Sequence, residues 1–436
     1  MFRALTRFSV RLVERYLPDP YIFVIILTLL AGLAAAGVER KGPVEIVRMW
    51  GDGFWGLLPF TMQMVLVLVT GFMLAMTPLV RKLLTRIATL ARTPGSAIII
   101  VTLVAMVANW INWGFGLVVG AIFAKEVART VRVDYRLLVA SAYAGFVVWH
   151  GGLAGSIPLT IATEAHFTAD KIGVIPTAQT IFSTFNLGIV AALFVVVPLL
   201  NRLMMPPAGE SIFVDPKLLA EEPPAAPAVD TFAARLEQSR LLTGLIGAAG
   251  LAYMFHYYVI QRGGINLNIV NFSFLFLAIV LHGTPRRLLD SLDAAIKGTG
   301  GIVLQFPFYA GIMAIMTKSG LAASLSAWFV SFASAESLPF WTFMSAGLVN
   351  VFVPSGGGQW AVQAPVVIEA TQALGADMAR TAMAVAWGDA WTNMLQPFWA
   401  LPVLAIAGLK AKDIMGFCLI QLVVMGVVIS IGLTYF

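Results

Sequence analysis

Four stretches of this chain place hydrogen-bonding groups inside otherwise apolar runs. In VNVFVPSGGGQWAVQAPVV, Val349–Val367, the middle holds Pro354, Ser355, Gly356, Gly357, Gly358 and Gln359. Pro and Gly are the weakest helix formers, and irregular backbone at membrane depth survives only where protein or a water-filled cavity satisfies its polar groups. Glycine lets the backbone turn and lets an ion approach amides and carbonyls closely, while Ser, Asn and Gln supply neutral oxygens suited to Na⁺ or to a carboxylate. An earlier run, NWINWGFG, holds Asn109, Asn112, Gly114 and Gly116; WHGGLAGSIP holds His150, Gly151, Gly152 and Ser156; GDAWTNMLQP holds Asp389, Thr392 and Asn393. A helix broken in mid-span exposes an N-terminal end with a partial positive charge, and two such ends can hold a small anion without arginine. No Arg falls in any of the four motifs, which argues against a substrate with two or three permanent charges.

Each of these residues also has a plainer reading. Gly151, Gly152 and Gly155 could equally be close-packing devices; for the run at Gly356 that reading is weaker, because a packing motif does not need Pro354 beside three adjacent glycines. His150 could be a satisfied core imidazole; its place in a mid-span break favours a functional one. Asp389, an acid deep in an apolar run, reads as an ion ligand or proton carrier. The alternative is a carboxylate capping a broken helix beside Thr392 and Asn393. If the ion is Na⁺, the expected ligands are Asn109, Asn112, Ser355 and Asn393. Trp149, Trp360 or Trp391 would meet an apolar substrate tail, although tryptophans near breaks are more often packing or interface anchors.

The elements that must hold these motifs follow from composition. The 436 residues are 59% hydrophobic and only 11% charged, with a mean hydropathy of +0.87; soluble domains are about 45–50% apolar and about 25% charged. Runs such as YIFVIILTLLAGLAAAGV approach the ~20 residues that cross a hydrocarbon core. An outer-membrane barrel would show weak alternating strands instead. The expected class is an all-α polytopic membrane protein. The net charge of +6 reads as Lys and Arg gathered in cytoplasmic loops rather than as a nucleic-acid surface. The single cysteine, Cys418, excludes an internal disulfide and a cysteine metal cluster, and no cofactor is expected. Residues 1–18 carry no cleavable signal pattern; Arg3, Arg7, Arg11 and Arg15 form one stripe opposite Phe2, Leu5, Leu12 and Val13, the pattern of an interfacial amphipathic helix on an anionic leaflet.

Apolar spans are expected at 20–38, 54–80, 96–124, 136–163, 179–203, 240–260, 265–283, 298–317, 340–372, 378–408 and 412–435. A Pro-, Ala- and Glu-rich segment at 204–238 reads as a cytoplasmic linker. Residues 239–261 form a connecting span between a first unit, 19–203, and a second, 262–436. Asn109 matches Asn350, Glu126 matches Glu369, Asp134 matches Asp377 and Trp149 matches Trp391, at offsets of 241 to 243. Basic residues flank 96–124 on both sides (Arg92, Lys125, Arg129), while the flanks of 340–372 are mainly acidic (Glu336, Glu369, Asp377). With the N-terminus in the cytoplasm, the two segments enter from opposite faces as re-entrant helical hairpins. The result is an inverted repeat with two hairpins and two broken transmembrane helices, 136–163 and 378–408, the architecture of secondary transporters with midplane sites.

VNVFVPSGGGQWAVQAPV followed by AWGDAWTNMLQPFWALP resembles the short-chain fatty acid transporter family (the AtoE type), and WHGGLAGSIPL and NWINWGFGL fit the same family over essentially the whole chain. The resemblance implies uptake of short monocarboxylates such as butyrate or acetoacetate across a bacterial inner membrane, by a homodimer. It also implies an elevator, in which hairpins and broken helices slide against a scaffold, as in relatives within a larger ion-transporter superfamily. Dicarboxylate carriers of that superfamily have a Ser-Asn-Thr signature at their hairpin tips. Here those positions read Asn109 to Asn112 and Ser355 to Gln359, which leaves open whether Na⁺ or H⁺ is coupled. Competing readings are a cation/proton antiporter exchanging on Asp389, a carrier of another small organic anion, a membrane acyltransferase using His150, and a passive channel. No nucleophile–base motif supports the enzyme, and two hairpins from opposite faces would block a pore.

Overall fold

The structure, a computed structural model, describes residues 20–219, 231–351, 353 and 355–435; the amphipathic stripe expected at 1–18 lies outside them. The described residues are helical, without strands. In the first half these are α1 (Pro20–Gly37), α2 (Pro43–Gly53), α3 (Leu58–Ala75), α4 (Pro78–Ala88), α5 (Pro94–Ile111), α6 (Trp113–Thr130), α7 (Tyr135–Ala144), α8 (Ser156–Ile161), α9 (Ala169–Ile172) and α10 (Thr184–Leu203). Two short helices, α11 (Pro216–Leu219) and α12 (Phe232–Glu237), lie in the linker before α13 (Arg240–Phe255). The second half holds α14 (Leu267–His282), α15 (Pro285–Ile296), α16 (Gly300–Ser319), α17 (Leu321–Val330), α18 (Leu338–Asn350), α19 (Gly356–Leu374), α20 (Met378–Thr392), α21 (Pro397–Ala407) and α22 (Ala411–Tyr435). Among the described residues, seven helical stretches are long and apolar enough to cross a membrane.

Among the described residues, each expected apolar run holds a helix, a broken helix or a pair of helices. The helices α2, α4 and α15 occupy stretches read as connections or span ends. They are amphipathic: α4, for example, buries Leu84 and Ala88 while Arg81, Lys82 and Arg86 stay exposed. Such segments are too short and too charged to register as spans.

Segment 96–124 is two helices turning on one residue. Asn112 is extended (φ −160°, ψ 130°) and its Oδ1 accepts the Phe115 N–H at 2.9 Å, capping α6. The helices return antiparallel: Gly116 lies against Asn109, and a Cβ at Gly120 would sit 3.4 Å from that of Ala105. In the second half Ser355 (φ −162°, ψ 111°) does the same for α19, its Oγ accepting the Gly358 N–H at 3.3 Å. Across that turn, Gln359 Nε2 donates to the Ala346 carbonyl of α18 at 2.8 Å. Side-chain caps of this kind satisfy backbone donors that have no partner within a helix. The matched pair Asp134 and Asp377 also share a role, capping α7 and α20 through the Leu137 and Arg380 N–H groups at 2.9 and 2.8 Å.

Both helices that follow a turn are broken. After α7 the chain runs as a 3₁₀ turn, Gly145–Gly151, then irregularly to α8; after α20 it runs as a 3₁₀ turn, Asn393–Leu395, into α21. The second break lies C-terminal to Asp389, which sits on the last turn of α20 rather than in the break itself.

Around these elements the long helices pack through small residues and buried amides. Asn201 of α10 donates to Thr102 Oγ1 of α5 at 3.0 Å and accepts from Gln421 Nε2 of α22 at 2.8 Å, all three buried. Replacing Asn201 by Leu removes both bonds and strands the Gln421 amide. The expected cost is about 1–3 kcal/mol, read as a lowered melting temperature of the purified protein in detergent; an unchanged melt would show that this network is not structural.

Candidate functional site

The two halves meet at the breaks. His150, at the end of the first 3₁₀ turn, is fully buried. Its Nδ1 lies 2.8 Å from the Ala386 carbonyl oxygen of α20. A carbonyl only accepts, so Nδ1 carries the hydrogen and the neutral ring presents a lone pair at Nε2. That nitrogen is buried and has no partner. Against it stands the start of α19: a Cβ at Gly356 would overlap His150 Nε2, so only glycine lets the tip of the second turn reach the imidazole. The glycines beside it pack in the same way, Gly357 on Phe60 and Gly358 on Tyr309.

The first break is fastened from three sides. Leu153 N–H donates to the Trp110 carbonyl at 2.7 Å, and Trp110 Nε1–H donates to the Gly151 carbonyl at 3.0 Å, so the end of α5 holds the break directly. Asn186 of α10 donates to the Gly151 and Ile181 carbonyls and accepts from Trp387 Nε1 of α20 at 3.1 Å. Gly152 must be glycine, because a Cβ there would overlap the Trp110 carbonyl oxygen. Gly151 packs on the Trp387 ring, and Gly114 on the Leu68 backbone of α3.

The second break is organised by Asn350, the last residue of α18. Its Nδ2 lies 2.8 Å from the Asp389 carbonyl, 2.9 Å from Thr392 Oγ1 and 2.7 Å from Asn393 Oδ1, three oxygens for a group with two hydrogens. Gln396 Nε2 donates to the Asn350 carbonyl. Asn393 Nδ2 approaches Asp389 Oδ2 at 3.4 Å, and Tyr143 O–H of α7 donates to the Asn393 carbonyl at 2.5 Å. Around this network four buried oxygens have no donor: Asn350 Oδ1, Asp389 Oδ1, Gln396 Oε1 and, on α19, Gln359 Oε1.

A narrow cavity of about 20 Å³ lies between the breaks, bounded by Ser156, Ser355, Gly356 and Gln305, with Trp113, Trp149 and Trp399 among its apolar walls. It abuts a wider apolar chamber of about 550 Å³ through shared residues Trp113, Gly301, Ile302 and Trp399, with Lys297 on the chamber wall. The tryptophans pack edge to face, Trp113 on Trp399 at 5.4 Å and on Trp149 at 5.9 Å between centroids. Here the unpartnered groups are donors: Trp113 Nε1–H and Trp149 Nε1–H are both buried without an acceptor. Gln305 accepts the Tyr309 hydroxyl at 3.0 Å through Oε1, which turns its amide so that Nε2 has hydrogens to offer.

The residues singled out in the sequence thus fall into separate groups. Ser156, Ser355 and Gly356 line the narrow cavity, and His150 lies against Gly356. Asp389, Thr392 and Asn393 form a second network. Asn109 and Asn112 belong to the first turn: Asn109 Nδ2 donates to the Ala105 carbonyl at 2.8 Å and leaves Oδ1 unpartnered, while Asn112 caps α6 and reaches the Val67 carbonyl at 3.4 Å. Trp391 stands apart from the cavity, its indole N–H on the Leu422 carbonyl of α22 at 2.7 Å. Asn350 and Gln396 were visible in the motifs as a matched residue and a motif member. Trp113 and Trp399 are members of the quoted motifs too, but no role was assigned to them; nothing in the sequence marks Tyr143 or Gln305, which enter the site only because of how the helices pack.

The model of the family described as short chain fatty acid transporter matches residues 1–436. The chain belongs to this family. Two relatives match over the full length of both proteins, one from Escherichia coli (strain K12) at 48% identity and one from Haemophilus influenzae (strain ATCC 51907 / DSM 11121 / KW20 / Rd) at 45%. Both carry names that give short-chain fatty acid transporter as an inferred role. Family membership and the apolar helices together make this a multi-pass membrane protein of a transporter family, not an enzyme. The fold resembles the crystal structure of the Alcanivorax borkumensis YdaH transporter, with a TM-score of 0.61 at 17% identity over 96% of this chain and 97% of that one. It also resembles Neisseria gonorrhoeae MtrF, described as illuminating a class of antimetabolite efflux pumps, with a TM-score of 0.50 at 16% identity over 98% and 96%.

The contact between Gly356 and His150 generates a double-mutant test. Gly356→Ala overpacks the tip and should destabilise the purified protein by about 1–3 kcal/mol. His150→Ala in the same chain should restore most of that loss, a non-additivity expected only for residues in contact. Additive thermal shifts would mean that the tip does not rest on the imidazole.

Proposed function

We propose that the protein is an ion-coupled secondary transporter that takes up short monocarboxylates, of the butyrate and acetoacetate class, across the bacterial inner membrane. The single observation that carries this reading is the segregation of unpartnered buried groups: donors line the narrow cavity and acceptors crowd the Asp389 network. Buried polar groups without partners are costly; a carboxylate answers the first set and a cation the second.

In this reading the carboxylate lies at the narrow end, against Ser156, Ser355, the indole N–H groups of Trp113 and Trp149, and the Gly356 and Gly357 amides at the start of α19. Those amides are among the free donors of a helix N-terminus, where the dipole also favours an anion. The acyl tail enters the wider chamber between Trp113 and Trp399. Lys297 on the chamber wall draws anions toward it. The narrow cavity widens as substrate enters, and the tips of the two helix pairs are the parts that move.

The coupling ion is Na⁺ or H⁺. Asp389, with the oxygens of Asn350, Asn393 and Gln396, supplies the hard neutral and anionic ligands that Na⁺ takes; a proton would reside on Asp389 or on His150 Nε2. Asn109 and Ser355 offer further oxygens. A cation antiporter would need the Asp389 network but not an apolar chamber beside a set of donors, so the chamber favours the symporter.

The two turns are read as tips of re-entrant hairpins entering from opposite faces, and the two halves as inverted repeats. The shared capping roles of Asn112 and Ser355, and of Asp134 and Asp377, support that reading. Both pairs together with the broken helices would form the moving part of an elevator, carried on a homodimeric scaffold with the N-terminus in the cytoplasm.

Two experiments test this. Proteoliposomes loaded under an imposed Na⁺ or proton gradient should accumulate labelled butyrate, and Asp389→Asn should cut gradient-driven accumulation at least tenfold, about 1.4 kcal/mol or more of coupling. Wild-type rates in the mutant would remove Asp389 from coupling, and cation flux without any organic acid would favour the antiporter. For topology, Thr89→Cys and Glu336→Cys, made singly in a Cys418→Ala background, should react with an impermeant maleimide from opposite faces; labelling from one side would rule out the inversion.

A further inference from the structure

A third cavity, of about 610 Å³, lies away from the breaks between α4, α13 and the junction of α14 with α15. Three cations line it: Lys82 of α4, Arg240 at the start of α13 and Arg287 at the start of α15. No Asp or Glu is among its lining residues. The nearby acids Glu237 and Asp290 are both paired with Arg286, not with these three, and among the described residues none of the three forms an ion pair. Uncompensated charge of one sign, gathered from three separate helices, marks a place for an anion.

The rest of the wall limits which anion. Leu251 of α13 and Val280 of α14 carry the cavity along the groove between those helices, with Leu79 of α4 also on its wall. α13 packs closely on α14 through glycines, Gly247 on Val280 and Gly250 on Phe276, and the groove is open at Gly244, where a Cβ would meet nothing within 4 Å. The outward face of α13 exposes Leu241, Leu245, Ile246 and Phe255, so the groove is continuous with surface that the hydrocarbon covers. A soluble anion has no use for such a wall; a molecule with a phosphate head and acyl chains fits both parts.

We propose that this cavity is a binding site for an anionic phospholipid, with the phosphates on Lys82, Arg240 and Arg287 and an acyl chain along the α13–α14 groove. Arginine holds phosphate oxygens bidentately, and basic pockets between spanning helices near the cytoplasmic surface suit such headgroups. Three cations exceed what one phosphodiester needs, so a lipid with two phosphates, cardiolipin, is the preferred occupant and phosphatidylglycerol the weaker one. The site would fasten α13, which has few protein neighbours, to the rest of the bundle. The proposal does not depend on what the protein transports.

The test uses the full-length protein purified in detergent, titrated with cardiolipin, phosphatidylglycerol, phosphatidylcholine and inorganic phosphate, with bound lipid read by native mass spectrometry and stability by thermal melting. Cardiolipin should bind and raise the melting temperature, with phosphatidylcholine and phosphate doing neither. At about a fivefold loss per cation removed near the surface, single Lys82→Gln, Arg240→Gln and Arg287→Gln variants should each weaken cardiolipin by about fivefold, and the triple variant by roughly a hundredfold. Equal cardiolipin binding by the triple variant and the wild type would overturn the proposal, as would stabilisation by phosphate alone. If the triple variant does not fold, Leu251→Trp, which fills the groove and keeps every charge, carries the test: it should weaken cardiolipin comparably, and unchanged binding would overturn the proposal.

Discussion

Inside a bilayer no water is available to the backbone, so every helix that stops in mid-span must hand its last carbonyls and first amides to other parts of the protein. This chain meets that demand reciprocally. The end of α5 holds the first break through Trp110, whose carbonyl accepts Leu153 N–H and whose indole donates to Gly151. The end of α18 holds the second through Asn350, whose side chain reaches Asp389, Thr392 and Asn393 and whose carbonyl accepts from Gln396. Each turn therefore exists because a break lies beside it, and each break is tolerable because a turn completes it. Bonds between the halves, His150 to Ala386 and Tyr143 to Asn393, lock the two assemblies together.

The arrangement leaves polar atoms over, and they are not mixed at random. At the narrow cavity the excess is of the Trp113 and Trp149 hydrogens, with the His150 Nε2 lone pair behind Gly356; around Asp389 it is of oxygens. Had donors and acceptors been adjacent they would have satisfied one another. Keeping them apart costs stability, and such strain persists where a structure over-determines it, typically at functional sites. For a carrier this separation has a use. On the proposed reading, an anion and a cation bound together would neutralise both polar excesses, and the doubly loaded assembly would be the one best suited to move through a low-dielectric region.

Much of this was legible in the sequence because Gly and Pro punctuate apolar runs so sharply. The helical stretches, the two turns and the two breaks follow from where apolar runs stop, and the match of Asp134 with Asp377 from the constant offset between the halves. Roles were harder to read than places. Asn112 and Ser355 were expected among the ligands, and both use a side-chain oxygen to cap a helix; an isolated polar residue at a turn carries the same signal for either task. Asp389 was expected within a break and sits one turn before it, because the helix continues to Thr392 before Asn393 tightens it. Trp113, Trp399, Gln305 and Tyr143 come from four different helices. Their convergence depends on packing angles that hydrophobic periodicity does not encode. The short helices α2, α4 and α15 escaped because an amphipathic segment of 11 or 12 residues looks like a charged loop when read for spans.

The absence of arginine from the proposed substrate cavity bears on how a carrier should bind. A bidentate guanidinium would hold a carboxylate strongly in either conformation, and release would become the slow step; conduction and transport need binding good enough to enter and weak enough to leave. Neutral hydroxyls, indole N–H groups and helix-start amides offer less, typically 0.5–1.5 kcal/mol net per hydrogen bond. The remaining affinity must come from the tail, at about 0.8 kcal/mol for each buried CH₂. If the proposed site is the substrate site, acetate, with a single methyl group, would gain little from that term, and each added carbon would strengthen binding until the chain filled the chamber behind Trp113 and Trp399. With a weak head site and an apolar chamber, preference for chain length becomes a property of the chamber rather than of the carboxylate contacts. The aromatic wall is assembled from both halves, Trp113 and Trp149 from one and Trp399 from the other.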